Sequence, residues 1–285
     1  MDGILTIDKP AGWTSHDVVA RTRRVFRTKR AGHAGTLDPD ATGVLVVALG
    51  QATRLLPYLP LEPKIYRAVA LFGAATHTED ASGTVTDEAD ASALTHAALQ
   101  DALPAFLGEI LQVPPMVSAL HHEGQRLYDL ARKGITVERE PRTVAIHAIT
   151  TLAFEPGVRA HATLRIVCGG GTYIRTLCKD IGAAVGLPAH MATLVREAVG
   201  PFGLDAAVSL DALDTATPLP MQRALDLPTI ALADAEAAEI RLGRALPKRD
   251  GAEGTAMLLH GGRLLALARV ADDGIHPFKV FTTDG

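Results

Sequence analysis

The sequence predicts an α+β fold with a mixed sheet and a small C-terminal β-rich module. Three observations lead there: strand-like and helix-like runs alternate irregularly rather than as regular βαβ units, apolar residues make up 47% of 285 residues, and a paired-glycine hairpin signal follows an acidic, proline-bearing stretch. At about 150 residues per domain, this length suits one large or two unequal domains. Charged residues are 21% of the chain, too few for wholesale disorder.

Ile4 to Ile7 reads as a short strand closed by Lys9-Pro10-Ala11-Gly12. Ser15 is the expected N-cap of a first helix, with Asp17 in its opening turn and Val18, Val19, Thr22, Val25 and Phe26 at helical spacing. Ser15-His16-Asp17 does not read as a triad, because triad members meet in space rather than as chain neighbours. Gly32 to Gly43 is a glycine-rich loop, and Val44 to Leu49 a buried strand. Tyr66, Ala68, Ala70 and Phe72 share one face of a further strand. Leu94 to Leu107 looks helical until Pro104 ends or kinks it. Glu123 to Lys133 reads as a helix ended by Gly134. Leu164 to Cys168 is a strand, Gly169-Gly170-Gly171 a turn, and Tyr173 to Val185 a helix stopped by Gly186. Residues 205–226 are acidic and, with Pro218, Pro220 and Pro228, place a boundary near 227. The domains expected are 1–227 and 228–285, the second built on a hairpin turning at Gly261-Gly262.

Composition narrows function. Net charge is −4, which excludes a uniformly basic nucleic-acid-binding surface but not a local patch. Residues 1–35 carry seven basic and three acidic side chains, and residues 76–101 carry six acidic and no basic ones. This asymmetry suggests one face for a polyanion and one for water. Cys168 and Cys178 make neither a disulfide framework nor a zinc site, and the eleven His form no ligand pattern, so no metal is expected. No apolar run approaches the ~20 residues that span a bilayer, and the start lacks a signal peptide's pattern. The expected location is the cytoplasm.

Two segments carry the chemistry. Asp38 stands in the glycine-rich loop before Pro39, which biases its backbone towards an extended, directed form. Such a loop is more often a plain turn, and spacing alone does not make it catalytic. Gly170-Gly171-Thr172-Tyr173-Ile174-Arg175 joins a strand to a helix. A cation in a first helical turn opposes the helix dipole, so Arg175 suggests a carboxylate or phosphate partner, or else is a plain surface arginine.

Asp8-Lys9-Pro10-x-Gly12, Gly32-His33-x-Gly35-Thr36-Leu37-Asp38-Pro39-x-Ala41-Thr42-Gly43-Val44-Leu45, Lys64-x-Tyr66-Arg67 and Gly171-Thr172-Tyr173-Ile174-Arg175-Thr176-Leu177 occur in this order. Together with Val113-Pro114-Pro115-Met116-x-Ser118-Ala119 and Gly124-x-x-Leu127-Tyr128, they closely resemble the TruB family of bacterial tRNA pseudouridine synthases. The matches span about residues 3–200.

The resemblance implies a cofactor-free, metal-free isomerase that converts uridine to pseudouridine in the T-arm loop of tRNA, at the position numbered 55, by flipping the base. It implies that Asp38 is a single nucleophile attacking C1′ or C6, where a glycosidase wants two carboxylates. It implies that Tyr66 stacks on the base near the C5 proton, and that Arg175 salt-bridges Asp38. By the same resemblance Tyr173 and Leu194 line the uridine pocket, His33 fills the vacated stack, and Arg54 and Lys9 belong to a basic rim touching RNA. Asp40 departs from the family, which commonly has an apolar residue there; it is expected to face solvent. Residues 111–142 suggest an arm closing over the RNA, and 228–285 a PUA-like RNA-binding module. The T-arm stem-loop is the expected partner, with no obligatory protein partner. The alternative is a tRNA-folding chaperone whose catalysis is secondary; a guide-RNA-directed relative is a third reading.

Overall fold

The computed structural model describes residues 1–116, 121–122, 125–126, 135, 137–249 and 253–281. In chain order the larger part contains β1 (Gly3–Lys9), α1 (Ser15–Val25), β2 (Ala31–Ala34), β3 (Thr42–Leu49), β4 (Lys64–Phe72), β5 (Ala74–Thr76), β6 (Val85–Glu88), α2 (His96–Ala102), β7 (Gly108–Gln112), β8 (His121–His122), β9 (Gln125–Arg126), β10 (Arg142–Glu155), β11 (Ala160–Cys168), α3 (Ile174–Ala184), β12 (Ala189–Val199), β13 (Phe202–Gly203) and β14 (Val208–Ser209). Among the described residues one mixed sheet runs β14-β1-β3-β12-β4-β11-β10-β7, with β2 added to β3 and β13 to β12.

Burial follows the sequence pattern. Tyr66, Ala68, Ala70 and Phe72 all turn into the core, and β3 is buried from Gly43 to Leu49. Helix α1 lays Val18 and Val19 on Leu5, Ile7, Leu45 and Val47. Helix α3 lays Leu177, Cys178 and Ile181 over the β4, β11 and β12 region. The two helices therefore cover different parts of the sheet, and the loops between them converge on its middle.

Two elements differ from expectation, the cap of α1 and the run from Glu123 to Lys133. The N-cap of α1 is Thr14, whose hydroxyl accepts the Asp17 N–H at 3.1 Å while the Asp17 carboxylate takes the Thr14 N–H. Ser15 is instead buried, its hydroxyl bonded to both N and O of Leu37. The run from Leu94 to Leu107 breaks at Pro104 as expected: it is helical over His96–Ala102 and tightens into a 3-10 turn over Leu103–Phe106. The helix expected over Glu123 to Lys133 lies outside the described residues except at Gln125–Arg126, which pair as β9 with β8. About half of the expected arm at 111–142 falls outside them too.

The C-terminal part contains β15 (Thr229–Ala231), α4 (Asp234–Arg241), β16 (Gly254–His260), β17 (Arg263–Ala271) and β18 (Gly274–Val280), in a separate four-stranded sheet. Its hairpin turns at Gly261-Gly262. Helix α4 was not expected, although Asp234 and Glu236 in a run of alanines mark a helix start. One side of this sheet packs on α4 through Ile240, Leu258 and Ile275. Met257, Leu264 and Phe281 instead join Val46, Ala52 and Leu55 of the larger part.

Candidate active site

Strand β3 explains where the loop of Asp38 sits. One edge of β3 is paired along its length by β1. On the other edge β12 pairs Thr42 and Gly43, whereas β2 pairs Val46 to Leu49. The gap between is filled by Arg196 of β12, whose Nε donates to Val44 O at 2.7 Å and whose Nη2 donates to Gly35 O at 2.9 Å. Gly43 (φ 98°) allows this approach, because a Cβ there would lie 2.3 Å from Arg196 O. Residues 35–41 thus leave the sheet at an interrupted edge and return to it, with Asp38 at their centre.

The loop is braced on every side. Ser15 holds Leu37. The Gly12 N–H donates to Pro39 O at 2.9 Å. Lys9 is fully buried, and its Nζ donates to the carbonyls of Pro10, Trp13 and Pro39 at 2.9, 2.7 and 2.8 Å. Burial pushes its pKa down to about 8. Lys9 therefore lies beneath the loop, which corrects its expected place on an exposed basic rim.

Asp38 and Arg175 meet in a bidentate pair, Nε to Oδ2 at 3.0 Å and Nη2 to Oδ1 at 3.4 Å. Arg175 is held in turn by Thr78 O at 3.1 Å and lies 3.5 Å from Asp80 Oδ2. Asp80 is fixed by the hydroxyls of Thr78 and Ser82 at 2.7 and 2.6 Å. Burial raises the Asp38 pKa, the Arg175 charge opposes that rise, and Asp80 adds to it. Asp40 is exposed and contributes least to that balance.

The acidic segment is thus not wholly a solvent face. Asp87, Glu88, Asp90 and Asp101 are exposed, but Glu79 and Asp80 turn inward. Glu79 meets Lys179 at 2.5 Å and the Thr176 hydroxyl at 2.7 Å, anchoring the first turns of α3. Main-chain bonds from Ala81 N to Met191 O and from Met191 N to Glu79 O fasten this segment to β12.

Asp38 opens into a cavity of about 260 Å³ lined by Tyr66, Tyr173, Leu194, Lys64, Arg196 and Arg175, among others. Five of the residues singled out in the sequence are brought together here: Asp38, Tyr66, Tyr173, Arg175 and Leu194. Tyr66 is buried, which raises its phenol pKa; the neighbouring Arg196 charge opposes the rise. The Tyr173 backbone is clasped by Gln112, whose Oε1 accepts the Tyr173 N–H at 3.0 Å and whose Nε2 donates to Tyr173 O at 3.3 Å.

Two further residues lie apart from the cavity lining. His33 stands on β2, edge-on to His16 with ring centroids 5.4 Å apart, and its Nδ1 is buried without a partner. Burial lowers its pKa, and the charges of His16 and Arg196 lower it further. Arg54 is exposed at the junction with the C-terminal sheet, donating to Val280 O at 2.7 Å and covering the Phe281 ring at 5.1 Å. Among the described residues no group of three or more His, Cys, Asp or Glu converges as metal ligands, and no helix is long and apolar enough to cross a membrane.

Sequence reasoning assigned no role to Lys64, Asp80, Gln112 or Arg196. Lys64 was visible only within its motif, and the other three act through contacts distant in the chain.

Known proteins resemble this chain in sequence and in fold. Residues 23–174 match the model described as TruB family pseudouridylate synthase, N-terminal domain. Residues 175–226 match the tRNA pseudouridylate synthase B C-terminal domain. The chain is 50% identical over 248 residues to tRNA pseudouridine synthase B of Symbiobacterium thermophilum, covering 86% of this chain and 83% of that one. It is 42% identical to the same enzyme of Thermobifida fusca over 98% of both chains. Among solved structures, the archaeal box H/ACA sRNP Nop10-Cbf5 complex contains a chain similar with TM-score 0.70 and 27% identity, over 98% of this chain and 86% of that one. A chain of an H/ACA RNP bound to a substrate RNA containing 2'-deoxyuridine gives 0.69 and 25%, over 99% and 85%.

Proposed function

From the premise that this chain belongs to the TruB family of tRNA pseudouridine synthases, we propose that it isomerises one uridine in the T-arm loop of tRNA, at the position numbered 55, with Asp38 as its only nucleophile. The observation that carries this reading is the bidentate Asp38–Arg175 pair at the wall of a cavity that Tyr66, Tyr173 and Leu194 also line. One carboxylate is aimed by its arginine, and Tyr66, Tyr173 and Leu194 offer flat or apolar surfaces to a flipped pyrimidine.

The chemistry follows from these groups. An Asp38 oxygen bonds to C1′ or to C6 of the extruded nucleotide, and the electrons displaced move onto the pyrimidine. The C1′–N1 bond breaks, the base turns within the pocket, and a C1′–C5 bond forms. Asp38 departs with its bonding pair, and the C5 proton leaves near the Tyr66 hydroxyl. His33 offers a planar ring to the vacated stack. The exposed Arg21, Arg24 and Arg27 supply phosphate contacts, and the 228–285 module extends the RNA surface from the junction at Arg54.

The test is to incubate the purified chain with a bare T-arm stem-loop and with total tRNA, then map pseudouridine. Conversion at that single loop uridine without any other protein or guide RNA supports the reading. Conversion only with added protein or RNA partners contradicts it.

A further inference from the structure

Besides the Asp38–Arg175 pair, the same cavity is lined by two further cations. Lys64, at the start of β4, and Arg196, on β12, both line it. They converge on Gly35 (φ 76°): the position of its absent Cβ lies 3.5 Å from Arg196 Nη1 and 4.0 Å from Lys64 Nζ. Arg196 is 1% exposed, and its bonds go to the neutral carbonyls of Val44 and Gly35. Among the described residues neither cation has a carboxylate in an ion pair, unlike Arg175 with Asp38 or Lys179 with Glu79. The nearby Glu62, whose Oε1 accepts the Gly170 N–H at 2.7 Å, forms no ion pair with Lys64 and offsets its charge only in part. Burial lowers both cations' pKa values; the Arg196 charge lowers that of Lys64 further, whereas the neighbouring Tyr66 hydroxyl opposes the fall for Arg196. Buried positive charge without a counter-ion is costly, and an anion arriving in the cavity removes that cost.

We propose that Lys64 and Arg196 form the electrostatic cradle for the negative charge that develops on the pyrimidine, with Lys64 touching the base. This rests on the function proposed above. Attack at C1′ expels N1 with its bonding pair, giving a uracil anion spread over O2 and O4. Attack at C6 sends the electron pair through C5 to O4. Either way the charge lies on ring oxygens of a base confined to this cavity, and it returns to carbon when C5 bonds to C1′. A phosphate is the weaker candidate, because Arg196 is buried at the loop's interrupted strand edge, whereas the backbone of a flipped nucleotide stays at the mouth.

The experiment compares the full chain with Lys64→Gln and Lys64→Arg under single-turnover conditions, on T-arm RNA carrying uridine or 5-fluorouridine at the target. Fluorine withdraws electrons and makes the pyrimidine a better-stabilised anion, so it needs less help from the protein. On uridine, Lys64→Gln loses roughly 100-fold in rate, with RNA affinity within about 3-fold, and Lys64→Arg recovers part of the loss. On 5-fluorouridine, followed as disappearance of the intact N-glycoside, the Lys64→Gln defect shrinks at least about 10-fold. A defect equal on both pyrimidines overturns the proposal. So does a loss of affinity with the salt slope of binding reduced by about one, which marks a phosphate contact. Wild-type chain that leaves uridine unconverted defeats the functional reading itself, which separates the two failures.

Discussion

Arg175 grips Asp38 with two nitrogens and lies, through its third, 3.5 Å from Asp80. One buried guanidinium therefore serves two carboxylates, of which only Asp38 is substantially open to the cavity, at 41% side-chain exposure against 18%. Removing Arg175 leaves both acids without their shared counter-charge. Arg175→Ala is expected to lose about 1,000-fold in single-turnover rate and less than about 5-fold in tRNA affinity. Equal losses in rate and affinity would make Arg175 a phosphate grip.

The pH profile carries the same signature. Burial raises the Asp38 pKa and Arg175 is the largest influence lowering it. The nucleophile acts as the carboxylate, so the rate falls as pH drops through that raised pKa. In Arg175→Gln the lowering influence is gone, and the acid limb of the profile moves to higher pH. An unmoved limb would mean that another group sets it.

Lys9 separates a buried brace from an RNA contact. Lys9→Met removes a donor from three carbonyls, of which Pro39 O keeps the Gly12 N–H, and is expected to cost about 1–3 kcal/mol of stability by denaturant unfolding. The dependence of tRNA binding on salt stays as in the wild type. A slope smaller by about one would return Lys9 to the RNA surface.

Gln112 tests how the pocket wall is held. Its amide satisfies both backbone groups of Tyr173 from the end of β7. Gln112→Leu orphans the Tyr173 N–H, whereas Tyr173 O keeps the Leu177 N–H at 3.0 Å, so unfolding stability falls by about 1–3 kcal/mol, and turnover falls with it while initial RNA affinity holds. Turnover at the wild-type level would show that Tyr173 keeps its place without the clasp.

Much of this was legible in the chain. The alternation at Tyr66, Ala68, Ala70 and Phe72 and the paired glycines at 261 and 262 report local geometry directly. The glycine-rich loop and the Gly171 to Leu177 segment marked Asp38 and Arg175 before any contact was visible. The remainder depends on the tertiary structure. Thr14 and Ser15 are both able caps, and what separates them is Leu37, to which only Ser15 is bonded. A lysine near the N-terminus reads as a surface cation until Trp13 and Pro39 close over it. Asp80 sits in an acidic run suited to solvent, and only its strand contact with Met191 turns it towards Arg175.

The central claim is that Asp38 alone supplies the covalent chemistry, and Asp38→Asn tests it most directly, because the amide keeps the shape and abolishes the nucleophile. Pseudouridine formation by this variant, measured on T-arm RNA at saturating protein, is expected to be undetectable while tRNA affinity stays within about 5-fold of wild type. Measurable conversion of uridine by Asp38→Asn, beyond what deamidation back to Asp accounts for, would contradict it.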